Sequence, residues 1–213
     1  MRGFSSSDGG RIVSCIIGAI QQNKQYLSDL DGAVGDGDHG INMNKGVTLC
    51  AEELKRNPGD LSHSLMVLSR TLMTQIGGAM GPLYGQFFRG MAKACEGSSF
   101  VDAAVFGKML EGAHDGIQRI SDAKIGDKTM MDVLIPSVHA YKQAMAAGKS
   151  FKESLEAMRK AAVQGRDSTR DLVAKVGRSS RLGERSRGTL DAGAVSCCLV
   201  LESMADLIET LLV

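Results

Sequence analysis

Apolar residues recur along nearly the whole chain at steps of three and four, the spacing that lines one face of an α-helix. Ile12, Ile16, Ile20 and Leu27 form a first stripe, and Leu61, Leu65, Leu68, Leu72 and Ile76 a second. Phe106, Leu110, Ala113, Ile117 and Ile120 form a third, and Val195, Leu199, Ile208 and Leu212 mark the last segment. No run alternates apolar and polar residues as a half-buried strand does. The pattern predicts eight helices, near residues 8–29, 40–56, 60–75, 81–96, 101–120, 127–147, 150–175 and 191–211. The punctuation agrees. Asn57-Pro58-Gly59-Asp60 ends the second helix and caps the third, and Gly148 ends the sixth. Ser150 with Glu153 reads as a capping box for the seventh. Pro136 falls inside the sixth, where it is expected to kink it. The expected fold class is all-α, a single helical domain over residues 1–213.

Composition narrows the function classes. The 213 residues include 25 basic and 24 acidic side chains, a formal charge of +1. There is no basic excess and no Trp, and aromatics are only 4%, which speaks against a nucleic-acid surface. No apolar run reaches the ~18 residues of a membrane span. Arg2 followed by IVSCIIGAI has the outline of a signal peptide, but Asp8 interrupts it and no small-residue cleavage site follows. The segment is read as the first helix and the protein as cytoplasmic. Five cysteines, an odd number without any CxxC, read as reduced, buried thiols.

Twenty-six glycines crowd three connections, 32–40, 77–90 and 177–193. Helical bundles turn corners without such loops. Glycine lets backbone approach a ligand, so the three loops suggest one shared site at an end of the bundle. LDGAVGDGDHGINMN places Asp31, Asp36 and Asp38 within eight residues, where they repel unless a cation intervenes. Hard divalent cations such as Mg²⁺ take carboxylate oxygens. An EF-hand is excluded, because counting from Asp36 the sixth position is Ile41 and the twelfth Val47. Asp38 also suits the N-cap of the second helix. His39 is better placed to bond a phosphate or carboxylate than to ligate Mg²⁺.

Three further stretches carry weaker signals. GGAMGPLYG, residues 77–85, sits before a helix start and suits either phosphate binding or a tight turn; no Gly-Lys-Ser/Thr makes it a Walker A loop. In GDKTMMD, residues 126–132, Asp127 reads as an N-cap, while Lys128 and Thr129 could face a nucleotide. KVGRSSRLGERSRGTLDAGA, residues 175–194, carries Arg178, Arg181, Arg185 and Arg187, whose forks suit phosphate oxygens or a solvated loop.

In combination and order, these four stretches resemble the DhaL family, the nucleotide-binding L subunit of bacterial dihydroxyacetone kinase, over essentially the whole chain. The resemblance implies an eight-helix antiparallel barrel with ADP or ATP at one end. It implies two Mg²⁺ ions on Asp31, Asp36 and Asp38, and nucleotide contacts at His39, Gly40, Ile41, Asn42, Ala79, Met80, Ser121, Met130, Arg178 and Asp191. Met80 stands where many relatives have Ser, Ala192 where Pro is frequent, and Ser121 where a Gly approaches the nucleotide. The implied activity is phosphorylation of a small ketose, dihydroxyacetone, held on a separate DhaK-like subunit. The implied donor is a DhaM-like protein of the phosphotransferase system that recharges bound ADP. Use of free ATP, a ketose such as erythrulose, a regulatory role sensing the nucleotide, and a homodimer stay open at this point, as does a metal-binding domain without nucleotide.

Overall fold

The computed structural model describes residues 3–213; Met1 and Arg2, the charged start of the signal-like segment, lie outside the described residues. Among the described residues nine α-helices follow one another: α1 (Gly9–Gln22), α2 (Lys24–Val34), α3 (His39–Arg56), α4 (Leu61–Gln75), α5 (Met80–Ala94), α6 (Ala103–Gln118), α7 (Met131–Ala146), α8 (Phe151–Ser168) and α9 (Ala192–Leu211). Eight of them pack in a closed ring, α1–α3–α4–α5–α6–α7–α8–α9 and back to α1, with α2 laid against α3 and α9. The expected all-α barrel is therefore present, with one helix more than the periodicity indicates. The extra helix arises at Asn23, in the middle of the predicted 8–29 segment. Its side-chain amide donates to the Ala19 carbonyl, which ends α1 before Lys24 starts α2. Asn competes for backbone groups in this way and so favours helix ends.

Other boundaries move for equally local reasons. Asp60 caps α4 through the His63 N–H, and the Ser150–Glu153 capping box holds the start of α8. The predicted 150–175 helix stops at Ser168, where a 3₁₀ turn over Thr169–Asp171 follows. Ile120 of the third stripe lies beyond the end of α6 and is exposed. Pro136 lies within α7, which runs on through it. Two three-residue strands are too short to show a period in the sequence: β1 (Gly3–Ser5) pairs antiparallel with β2 (Phe100–Asp102). All five cysteines are free thiols, four of them buried. No helix among the described residues is long and apolar enough to cross a membrane.

One contiguous apolar core fills the ring, drawing Ile12, Ile16, Leu65, Leu68, Phe87, Phe106, Leu155 and Leu201 from different helices. Backbone contact tightens it where α5 crosses α6. A Cβ on Gly90 would stand 1.8 Å from the Gly112 carbonyl oxygen, and one on Gly112 would stand 2.5 Å from that of Gly90. Gly90→Ala is expected to destabilise the protein by about 2–3 kcal/mol, because backbone cannot yield as a side chain can. A Cβ on Gly18, in α1, would meet nothing within 4 Å. Gly18→Ala should therefore stabilise by about 0.5–1 kcal/mol through helix propensity. Urea denaturation of the two variants checks the opposite signs.

Candidate functional site

Ring closure sends alternate connections to the same end. The segments joining α2 to α3, α4 to α5, α6 to α7 and α8 to α9 all contribute to one cavity of about 330 Å³. The N-termini of α3, α5, α7 and α9 consequently stand around it. Helix N-termini carry partial positive charge and free N–H groups, so four together favour an anionic ligand.

The acidic corner lies at the α2–α3 junction. One carboxylate oxygen from each of Asp31, Asp36 and Asp38 lies within 4.8 Å of the others. Glycines make that approach possible. A Cβ on Gly35 would fall 2.6 Å from Asp31 Oδ1, and one on Gly40 would fall 1.9 Å from the Lys24 carbonyl of α2. Gly37 adopts φ +75°, a conformation L side chains rarely take. Asp38 occupies the N-cap position of α3 but makes no capping bond. Asp31 Oδ2 instead accepts the His39 N–H at 3.3 Å, across the junction. Three clustered carboxylates with no backbone amide claiming Asp36 or Asp38 are a donor set suited to a hard divalent cation such as Mg²⁺. Arg178 pairs with Asp36 and stands 3.8 Å from Asp38, so the arginine-rich segment reaches the acidic corner from across the cavity.

Behind that corner lies a buried polar relay. His39 Nε2 lies 2.8 Å from Ser196 Oγ of α9, and Ser196 Oγ lies 2.6 Å from the Tyr84 hydroxyl of α5. Burial pushes the imidazole down to about 4, against the opposing pull of Asp31, so the ring is neutral at physiological pH. The Nε2 side of the ring is thus engaged by a serine. Tyr84 and Ser196 were unreadable in the sequence, since each occupies an ordinary helical core position.

Asp191 caps α9 by accepting the Ala194 N–H at 2.7 Å, and its own N–H donates to Thr169 Oγ1. Burial pushes its carboxyl up to about 6; the Ala194 N–H and Lys128 counteract, while Asp132 and Asp31 reinforce. At the start of α7 the N-cap expectation for Asp127 is corrected. The helix begins at Met131, and Asp127 instead accepts the Lys124 N–H and pairs with Lys175 at 3.3 Å. Asp132 organises the turn by accepting the N–H groups of Gly126 and Thr129.

Of the expected site residues, Asp31, Asp36, Asp38, His39, Ala79, Met80, Ser121, Met130, Arg178 and Asp191 all line the cavity. Gly40, Ile41 and Asn42 do not: Gly40 is buried against α2, Ile41 is exposed, and Asn42 continues the first turn of α3. The sequence reading missed the apolar wall, where Val34, Leu83, Ile117 and Met131 face the cavity. On a helix such residues carry the same periodic signal as core.

An all-helical ring whose alternate loops bring an acidic corner, glycine-rich turns and an apolar wall to one cavity is the class of domain that fold and site define. Residues 33–206 match the family model described as DAK2 domain. The chain belongs to that family. It is 41% identical to the "PEP-dependent dihydroxyacetone kinase 1, ADP-binding subunit DhaL" of Listeria innocua, covering 87% of this chain and 88% of that one. It is 36% identical to the "PEP-dependent dihydroxyacetone kinase, ADP-binding subunit DhaL" of Escherichia coli, covering 85% and 87%. The crystal structure of the dihydroxyacetone kinase from C. freundii in complex with AMP-PNP and Mg²⁺ superposes with a TM-score of 0.67 at 23% identity. That match covers 93% of this chain and 33% of the larger one, and shows the fold.

The Asp191 carboxyl generates a pH signature. With a folded pKa near 6 against an ordinary value of 3.8, the unfolded chain gives up this proton first. The folded state is therefore favoured at low pH and loses that advantage as pH rises from about 4 to 6. Asp191→Asn keeps an N-cap and removes the titration. In EDTA, the stability of the wild type relative to D191N should fall by about 1–3 kcal/mol between pH 4 and 6.5. Urea melts at stepped pH check this; a flat difference would overturn the burial argument.

Proposed function

We propose that this chain is the nucleotide-binding L subunit of a PEP-dependent dihydroxyacetone kinase, carrying ADP or its triphosphate form in the cavity with two Mg²⁺ ions on Asp31, Asp36 and Asp38. The observation that carries the reading is the convergence of three carboxylates with the N-termini of α3 and α5 at the mouth of one cavity. The extensive similarity to ADP-binding DhaL subunits supports it. Bound there, the cations would offset phosphate charge, which is most of what phosphoryl transfer asks of a site.

The chain's own residues do the rest. Gly77, Gly78 and the first turn of α5 offer backbone to the phosphates, with Gly78 at φ +71° opening the turn. The Met80 position contributes its N–H without the hydroxyl that a serine would add. Arg178 supplies a fixed positive charge beside the acidic corner. The neutral His39 anchors the start of α3 to α9 and Asp31. The apolar wall of Leu83, Ile117, Met130 and Met131 suits a base and excludes water. The ketose, presented by a separate DhaK-like subunit, brings the hydroxyl that is the nucleophile phosphoryl transfer needs. A DhaM-like phosphotransferase-system protein is the corresponding phosphoryl donor.

Protein purified in Mg²⁺ and then denatured should release about one ADP per chain. Asp36→Asn should lose Mg²⁺-dependent nucleotide retention and ketose phosphorylation in a complex reconstituted with K and M subunits, with its helical circular dichroism unchanged. Wild-type activity in D36N would refute the metal assignment, and a chain that binds neither ADP nor ATP in Mg²⁺ would refute the reading.

A further inference from the structure

Lys128 is 1% exposed, and at φ +61° it is the one non-glycine residue in the left-handed region among the described residues. Such backbone is costly and persists where the surroundings over-determine it. The surroundings here are three carbonyl oxygens. Lys128 Nζ donates to Thr169 O at 2.6 Å, Leu172 O at 3.2 Å and Thr189 O at 2.6 Å. An ammonium has three N–H bonds, and all three are used. A lysine in a cavity that takes phosphate is ordinarily read as a phosphate ligand. This one has no donor left to give.

What it holds is specific. Thr169 and Leu172 lie just after α8, and Thr189 lies two residues before Asp191. One ammonium therefore gathers the outgoing and returning ends of the long connection that bears Arg178. Between those ends the loop reaches out to place the Arg178 guanidinium against Asp36 and Asp38. The same junction is stitched by Gly188 N–H to Arg170 O at 2.8 Å and by Asp191 N–H to Thr169 Oγ1. Beyond Leu172, Ala174 N–H donates to Ser186 Oγ and Lys175 N–H to Asp127 O, so the α6–α7 segment and the loop form one bonded unit.

We propose that Lys128 is a positioning residue for the nucleotide site: its ammonium closes the base of the 172–189 loop and so sets where Arg178 and Asp191 stand, without itself contacting phosphate. This rests on the nucleotide reading above for its consequence, but not for its geometry.

Amide hydrogen exchange in EDTA, without nucleotide, tests the geometry. Lys128→Met removes the charge at similar length, and Lys128→Ala leaves room for n-propylammonium in place of the lost atoms. K128M should exchange at least about tenfold faster over 173–190 while α1 and α4 keep wild-type protection. Propylammonium, but not tetramethylammonium, should restore slow exchange in K128A. Mg·ADP affinity should fall about 10–100-fold in K128M, and by far less when Lys128→Met is added to Arg178→Ala. Unchanged loop exchange in a variant that binds ADP poorly would make Lys128 a direct ligand and overturn the proposal. Uniform opening of the helices in both variants, with no response to propylammonium, would make it a core residue and overturn it equally. If the wild type itself bound no Mg·ADP, the nucleotide reading would fail, and the exchange pattern would still decide what Lys128 does.

Discussion

Three carboxylates held within 4.8 Å of one another at the α2–α3 junction are the constraint around which this end of the molecule is organised. Left alone, such a cluster favours opening of the junction, because each charge raises the cost of its neighbours. The fold resists that opening with backbone at the root of the cluster and with the Arg178 guanidinium at its tip. Gly40 packs directly on the first turns of α2, against Lys24 and Ser28, and the His39 N–H is tied to Asp31. His39 is itself fixed through Ser196 to Tyr84, so α3, α5 and α9 share one buried polar contact. The acidic corner is thus rigid at its root and charged at its tip, which is the arrangement a cation site requires.

The positive side of the balance comes from the ring. An even-membered ring of antiparallel helices must gather every second connection at one end, and here that end receives four helix N-termini. None of these dipoles is large alone, and each fades within a turn. Their convergence on one cavity, with Arg178 facing Asp36 and Asp38, gives a field that suits phosphate on one side and a divalent cation on the other. Lys128 adds a buried positive charge at the back, spent on carbonyls rather than on ligand.

The sequence was most legible where one residue type has one local consequence. Periodic apolar positions located every helix of the ring, and Asp60, Ser150 and Gly148 marked ends correctly because capping is a contact between near neighbours. The clustering of Asp31, Asp36 and Asp38 was legible because they stand within eight residues of one another with glycines between them. Legibility failed where a residue's partner is distant in sequence or its pattern is shared with the core. Asn23 ended a helix within an unbroken apolar pattern. Asp127 has the composition of a cap but serves Lys124 and Lys175. Ser196 and Tyr84 look like core positions and prove to be the partners of His39. The apolar wall of the cavity is written in the same periodicity as the core behind it, so no one-dimensional pattern separates the two.

The arginine-rich segment shows how the two kinds of information combine. Composition alone leaves it as a solvated basic loop, since four arginines among Gly and Ser bury little apolar surface. What gives it a defined position is not its own sequence but the closure of its base and the acidity of what it reaches. Thr169, Leu172 and Thr189 contribute only carbonyls, which every residue has, so no side-chain motif records that closure. The recording residue is Lys128, some forty positions earlier, set in a conformation that a lysine adopts only under constraint. A loop whose chemistry lies in one stretch and whose geometry is fixed from another is what a helical ring permits: neighbours in the ring are joined at one end and meet at the other.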